Sequence, residues 1–168
     1  MDPVAAAFAA VPRAAFLPRR ARARASYDGP IQIGHGQTNS QPSTVVAMLR
    51  LLGVETGHRV LDVGAGSGWT TALTAQLTGP TGWVLGLEIV PELVTLGVGN
   101  LAGAGCPWAS IEPADPGSLG APDRAPFDRI LVSANARSLP AALVDQLADP
   151  GRMVIPVASV MVLVVKDG

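Results

Sequence analysis

The sequence predicts an α/β fold with a mostly parallel, doubly wound sheet that closes on an antiparallel C-terminal hairpin. Three observations predict it. From residue 59 onward, short apolar runs of strand length alternate with helical segments. A glycine-rich turn, Gly64-Ala65-Gly66-Ser67-Gly68, falls where the first of those runs hands over to a helix. The last two runs, Met153–Val157 and Met161–Lys166, have only Ala158–Val160 between them. That is too short for a parallel crossover, so they pair antiparallel.

The elements follow in order. Helical spacing covers Val4–Phe8 before Pro12, and a second short helix is expected over Ala14–Ala25, around Pro18. Tyr27–Gln41 carries Gly29, Gly34 and Gly36 and no long apolar run, so it reads as a loop. Pro42 suits the first turn of a helix whose apolar face is Val45–Leu52 and whose end is Gly53. Arg59–Val63 reads as a buried strand, Thr70–Leu77 as a helix and Trp83–Glu88 as a second strand. Pro91–Leu101 is a helix weakened by Gly97 and Gly99. Ala109–Glu112 and Phe127–Ser133 are strands, and Leu139–Leu147 is a helix before the closing pair. Strand runs that are apolar throughout belong to a sheet covered on both faces. At 168 residues one domain is expected, with residues 1–53 a helical and loop segment and residues 54–168 the α/β core.

Composition narrows the function classes. Apolar residues make up 48% and charged residues 15%, with a mean hydropathy of +0.35. No stretch reaches the ~20 apolar residues of a membrane span. Met1-Asp2-Pro3 lacks the basic opening of a secretory leader, so neither a leader nor a membrane partner is expected. The single Cys106 forms no internal disulfide and has no His or Cys at ligand spacing. A structural thiol, no metal site and a reducing compartment such as the cytoplasm are expected. A net charge of −1 argues against broad nucleic-acid binding, which runs on cation–phosphate contacts. Arg13, Arg19, Arg20, Arg22 and Arg24 crowd the N-terminal segment. A solvated helix face is the simpler reading, and an anion-attracting rim beside the active site is the sharper one.

The chemistry-bearing signals are few. Glycines at a strand-to-helix turn let the backbone turn tightly and approach a ligand closely. Here their Gly-x-Gly-x-Gly spacing lacks the third glycine of the dinucleotide fingerprint. Glu88 ends the next strand about twenty residues on, where a carboxylate can accept from both hydroxyls of a ribose. Asp115 follows the third strand. It either accepts from an adenine amino group or is an ordinary turn aspartate before Pro116, and the sequence leaves both open. His58 reads as a surface residue before a strand. His35, in the Gly-rich loop, is open to a structural or a functional reading. No Ser-His-Asp, Cys-His or paired-carboxylate constellation stands out. That suits a reaction in which positioning supplies most of the rate.

A resemblance gathers these signals. Val11-Pro12-Arg13-Ala14-Ala15-Phe16-Leu17-Pro18 and Ile33-Gly34-His35-Gly36-Gln37-Thr38-Asn39-Ser40-Gln41-Pro42 resemble the opening segment and substrate loop of the protein-L-isoaspartate (D-aspartate) O-methyltransferases. Ala125-Pro126-Phe127-Asp128-Arg129-Ile130 and Gly151-Arg152-Met153-Val154-Ile155-Pro156-Val157 are similar to the family's fourth and late strands, in the same order. The resemblance implies a Rossmann-like class I methyltransferase fold with S-adenosylmethionine as cofactor and S-adenosylhomocysteine as product. It implies methyl transfer to the free carboxylate of an isoaspartyl residue in a damaged peptide or protein. The ester then collapses to a succinimide whose hydrolysis returns some normal aspartate. By the same carry-over, Ser40 lies beside the methyl and the acceptor, with Thr38 and Gln37 shaping its loop. Asp62, Gly64, Ala65, Gly66 and Gly68 line the cofactor, Glu88 with Ile89 takes the ribose, and Asp115 takes the adenine.

Departures from the family pattern fall on the acceptor side. Asn39 replaces an aliphatic residue before the loop serine, Pro116 interrupts an Asp-Gly pair, and Asp149-Pro150-Gly151 replaces a Pro-Gly-Gly turn. Ser133-Ala134-Asn135-Ala136-Arg137 stands where the family has an Ala-rich stretch ending in proline. Asn135 and Arg137 are either contacts to a changed acceptor, Arg137 being suited to a carboxylate, or ordinary loop residues. The family also continues beyond the point where this sequence ends at Gly168. Three readings are carried forward: isoaspartyl repair, a relative with another carboxylate acceptor (peptide-tailoring or natural-product methylation), and a non-catalytic cofactor-binding or interaction domain.

Overall fold

A computed structural model of the chain describes residues 2–168; in the Met1-Asp2-Pro3 opening, Met1 lies outside the described residues. Helix α1 (Pro3–Ala10) starts at Asp2, whose Oδ1 accepts from the Val4 N–H at 3.1 Å, with Pro3 in the first turn. Strands β1 (Ile31–Gly34) and β2 (Gln37–Asn39) form an antiparallel hairpin, and α2 (Pro42–Leu52) follows, ending on Gly53 at φ 61°. The core alternates β3 (Arg59–Val63), α3 (Trp69–Thr78), β4 (Trp83–Glu88), α4 (Pro91–Ala102), β5 (Ala109–Pro113) and β6 (Phe127–Val132). A single helical turn, α5 (Ala141–Val144), precedes β7 (Leu147–Val157) and β8 (Val160–Lys166).

The six-stranded sheet has the order β5-β4-β3-β6-β7-β8, with every pair parallel except β7–β8. This is the Rossmann-like methyltransferase architecture, including the antiparallel closing pair. Val60, Leu61, Val84, Leu85, Ile130, Leu131, Met153 and Val154 are all fully buried. Neighbouring residues on a strand point to opposite faces. Thus Leu131 and Val154 pack with α1, α2 and α3, while Leu61, Leu85, Ile130 and Met153 pack on the α5 side with Phe127 and Leu143.

Four expectations are corrected. Tyr27–Gln41 is not all loop: Ile31 and Ile33 alternate inward in β1, and the run is too short for its period to register. Ala14–Ala25 is not one helix. Pro18, which has no N–H to donate, separates two 3₁₀ turns at Arg13–Phe16 and Arg19–Arg24. Leu139–Leu147 is helical only over Ala141–Val144, because Leu147 already pairs with Phe127 and opens β7. Strand β7 runs on through Asp149-Pro150-Gly151, and the pairing shifts register there, at a place where proline is tolerated.

Gly97 is the fourth. It does more than weaken α4. A Cβ there would lie 3.0 Å from Ile111 Cδ1 and 3.1 Å from the Gly66 carbonyl, while one on Gly68 would lie 3.1 Å from the Gly97 carbonyl. The two glycines therefore let α4 close onto the glycine turn. Gly99 is exposed, with open space where its Cβ would go.

Candidate active site

From β3 the chain builds outward through β4 to β5, then returns to add β6 and β7 on the other side of β3. The crevice beyond the carboxyl ends of β3 and β6 is thus the switch point where open α/β sheets bind ligands. A cavity of about 510 Å³ lies there.

Its floor is the glycine turn. Gly64, Gly66 and Gly68 adopt φ values of 84°, 55° and 91°. The N–H groups of Gly64 and Ala65 donate to the Leu87 carbonyl at 2.8 and 3.0 Å, tying the turn to β4. Glu88 is 6% exposed and lines the cavity. Its Oε2 accepts from the Gly66 N–H at 2.8 Å and its Oε1 from the Val90 N–H at 3.0 Å. A carboxylate offers about four acceptor positions, so roughly two remain for a ligand. Trp69 and Thr70 bring the N-terminal end of α3 to the cavity, where the helix dipole favours negative charge. At the far end, Asp115 lines the wall while its Oδ1 accepts from the Gly117 N–H at 2.8 Å, so a turn role and a place in the cavity coexist.

The wall opposite the glycine turn includes β2 and the residue after it: Gln37, Thr38, Asn39 and Ser40. What holds this segment is Arg13, and the structure corrects its reading as part of an exposed cluster, since it is only 6% exposed. Its Nε donates to Asn39 Oδ1 at 2.7 Å, and its terminal nitrogens donate to the carbonyls of Tyr27 (2.7 Å), Gly29 (2.8 Å) and Ser40 (3.0 Å). The guanidinium also sits 5.5 Å from the Trp69 ring centroid, while Trp69 Nε1 donates to the Val11 carbonyl at 3.1 Å. Asn39 in turn donates to Ser67 Oγ at 3.4 Å. One buried fork therefore joins the N-terminal segment, the β1–β2 hairpin and the glycine turn.

Of the residues singled out by sequence, Gln37, Thr38, Asn39, Ser40, Gly64, Ala65, Gly66, Glu88, Ile89 and Asp115 share this cavity, and four do not. Asp62 is fully buried behind the glycine turn, its Oδ2 accepting from the Thr70 and Thr71 hydroxyls at 2.7 Å each. Burial pushes its carboxyl up to about 6, against the pull of the two hydroxyls and with a further push from the Glu88 charge. Its Oδ1 has no hydrogen-bond partner among the described residues. Gly68 packs against α4 rather than the cavity. Asn135 and Arg137 are exposed and do not line the cavity. Ala136 pairs with Val157 and the Asn135 Oδ1 accepts from the Ser159 N–H at 2.9 Å, which pulls that segment towards the β7–β8 turn. Ser133 and Ala134 line the cavity in their place.

Sequence reasoning missed Arg13, Ser67, Trp69 and the Ser118–Gly120 stretch of the wall. Only Arg13 had a signal: it stands among Val11, Phe16 and Leu17, all buried. His35 sits at the exposed hairpin tip. Partly buried His58, whose Nδ1 accepts from the Glu55 N–H at 2.9 Å, has its pKa lowered by burial. Neither histidine lines the cavity. Among the described residues no group of three or more His, Cys, Asp or Glu could hold a metal, and no helix is long and apolar enough to cross a membrane.

Comparison with known proteins agrees with this geometry. Residues 1–167 match the family model for protein-L-isoaspartate (D-aspartate) O-methyltransferase. The protein-L-isoaspartate O-methyltransferase of Methanopyrus kandleri is 45% identical over 154 residues, covering 92% of this chain and 68% of that protein. The one from Aeropyrum pernix is 46% identical over 153 residues, covering 91% and 59%. The chain thus spans about three fifths to two thirds of the length of these two relatives. A Plasmodium falciparum structure described as a beta-aspartate methyltransferase in complex with S-adenosyl-L-homocysteine superposes with a TM-score of 0.89 at 28% identity, over 100% of this chain and 84% of that one. A solved protein-L-isoaspartate O-methyltransferase gives 0.85 at 26% identity, over 99% and 56%. The chain belongs to the protein-L-isoaspartate (D-aspartate) O-methyltransferase family.

Proposed function

We propose that this chain is an S-adenosylmethionine-dependent carboxyl O-methyltransferase acting on L-isoaspartyl residues in peptides and proteins, a repair activity. The observation that carries the reading is one cavity in which the glycine turn and Glu88 face the Thr38–Ser40 wall. The cofactor fits the donor set: Glu88 retains acceptor positions for a ribose diol, and the α3 N-terminus suits the carboxylate of an amino-acid moiety. When bound, the cofactor supplies an electrophilic methyl on a sulfonium, whose sulfur leaves as a neutral thioether.

The protein's own share is placement. A carboxylate is ionised at neutral pH, so no side chain has to remove a proton from it. Ser40 supplies a hydroxyl to orient the acceptor, and the Arg13 fork keeps the Ser40 backbone where that hydroxyl is useful. Fixing two reactants in line recovers much of the barrier. Relatives carrying the isoaspartyl activity in their names, at 45–46% identity, support the same acceptor. A changed acceptor has less support, because Asn135 and Arg137 lie outside the cavity and the Asn39 amide is committed to Arg13 and Ser67. A single buried, unpaired Cys106 suits a reducing compartment such as the cytoplasm.

The test is methyl transfer to an isoaspartyl peptide compared with its aspartyl counterpart. Transfer to the first alone is expected. Ser40→Ala should lower turnover more than cofactor affinity. Transfer to neither peptide, with the cofactor still bound, favours another carboxylate acceptor; no cofactor binding favours the non-catalytic reading.

A further inference from the structure

Four of the twelve cationic side chains, Arg19, Arg20, Arg22 and Arg24, fall in one six-residue 3₁₀ turn. No acidic residue lies between Asp2 and Asp28. All four arginines are exposed, and neither ion pair of the described residues (Arg50–Asp2 and Arg124–Glu112) includes them. The nearest acid along the chain, Asp28, is already engaged. Its carboxylate accepts from the Ser43 N–H at 2.9 Å and from the Gln41 amide at 3.3 Å. The turn is therefore a concentration of uncompensated positive charge, while the other eight cations face thirteen acids.

Its position relative to the cavity is set by hydrogen bonds. The Arg24 guanidinium lies 5.2 Å from the Tyr27 ring centroid, and Tyr27 is 50% exposed. The ring lies against Gly29, where an added Cβ would come within 2.4 Å of it, so glycine there leaves room for the ring. The Tyr27 carbonyl accepts from Arg13 at 2.7 Å, and the same guanidinium donates to the Ser40 carbonyl at 3.0 Å. The Arg24–Tyr27 pair thus stands one buried side chain away from the Thr38–Ser40 wall.

We infer that this arginine–tyrosine ledge docks acidic side chains flanking the methyl-accepting residue of a peptide substrate. The inference rests on the function proposed above. Tyrosine and arginine are enriched among the residues that carry most of the binding energy at interfaces. Like-signed charge at the mouth of a cleft also concentrates oppositely charged ligands and speeds their encounter. A short acidic segment matches the extent of the patch. A nucleic acid would run on from it over a surface where acids outnumber cations.

The test uses three fluorescently labelled isoaspartyl peptides of equal length with Glu-rich, neutral or Lys-rich flanks. Binding is read by anisotropy and turnover by methyl transfer, at low salt and at about 0.5 M salt, where the Debye length shrinks to a few ångströms. The wild type should bind the Glu-flanked peptide about 3- to 10-fold more tightly than the neutral one at low salt, in keeping with a few exposed charge pairs. The preference should fade at high salt and vanish in an Arg19→Gln, Arg20→Gln, Arg24→Gln variant. Arg19→Lys with Arg20→Lys should keep it, and kcat on the neutral peptide should not change. Equal binding of all three peptides by the wild type overturns the inference. So does a preference that survives the Gln variant, or an oligonucleotide that displaces the Glu-flanked peptide more effectively than polyglutamate does. Methylation without charge preference removes the ledge alone. Charge-selective binding without methylation removes the proposed reaction and leaves the ledge standing.

Discussion

Replacing Glu88 by alanine offers the sharpest probe of the cavity. The side chain is almost fully enclosed, and each oxygen receives one backbone N–H, from Gly66 at 2.8 Å and Val90 at 3.0 Å. Hydrogen bonds to a charged group contribute about 1.5–3 kcal/mol each, and leaving a buried donor without a partner costs about 1–3 kcal/mol. Glu88→Ala strips the acceptor from two donors at the mouth of β4, one of them inside the glycine turn. A stability loss of about 2–4 kcal/mol is expected, readable as a lower urea midpoint at unchanged slope. In addition, the two acceptor positions facing the cavity disappear. Losing one charge-assisted bond to a ribose diol lowers cofactor affinity roughly 10- to 150-fold. Calorimetric titration with S-adenosylhomocysteine, at a temperature where the variant is folded, separates the two effects. Glu88→Gln keeps one oxygen and should fall between wild type and alanine in both. A folded Glu88→Ala that binds the ligand within twofold of wild type would refute the assignment of this carboxylate to the ligand.

Other perturbations read other parts of the structure. The Asp62 carboxyl sits at about 6 in the folded chain, above its ordinary 3.8. Its charged form is thus disfavoured on folding, and stability falls as pH rises from about 4 to 6 and then levels off. Asp62→Asn removes this titration, so the wild type should gain on the variant by about 2 kcal/mol as pH drops from 7 to 4; a pH-independent difference in urea unfolding would contradict the buried carboxylate. Arg13→Met leaves the carbonyls of Tyr27, Gly29 and Ser40 without their donor, and should cost about 3–5 kcal/mol and expose residues 25–41 to limited proteolysis. Gly99→Ala, where the added carbon meets open space, should stabilise the chain by about 1 kcal/mol in thermal unfolding. Gly97→Val should instead weaken cofactor binding, because its side chain pushes on the Gly66 carbonyl.

The fold and the glycine-turn floor of the cavity were legible because they rest on local pattern. Strand runs such as Val84–Leu87 and Ile130–Val132 are apolar on both faces because the sheet is covered on both faces. The glycines after β3 and the acid that ends β4 sit at chain positions dictated by the strand-to-helix turn and by the parallel register Val63↔Leu87. The short interval between β7 and β8 left only the antiparallel option.

The rest depended on contacts between residues far apart in sequence, which no local period encodes. Whether Arg13 is a surface cation or a buried clamp is decided by carbonyls up to 27 residues away and by the Trp69 ring. Gly97 reads as a helix defect until Gly66 and Ile111 are brought against it. Asp62, beside the glycine turn in sequence, faces away from the cavity because the pleat alternates and α3 offers it two hydroxyls. Asn135 and Arg137 follow β6 in sequence, yet pairing of Ala136 with Val157 carries them out of the cavity and leaves Ser133 and Ala134 behind. The sequence by itself determined the order of strands and helices from residue 59 onward and the placement of a nucleotide-type turn, because backbone propensity and burial act over a few residues. Only the tertiary structure decided which side chains line the cavity, because burial and hydrogen-bond satisfaction are settled where distant segments meet.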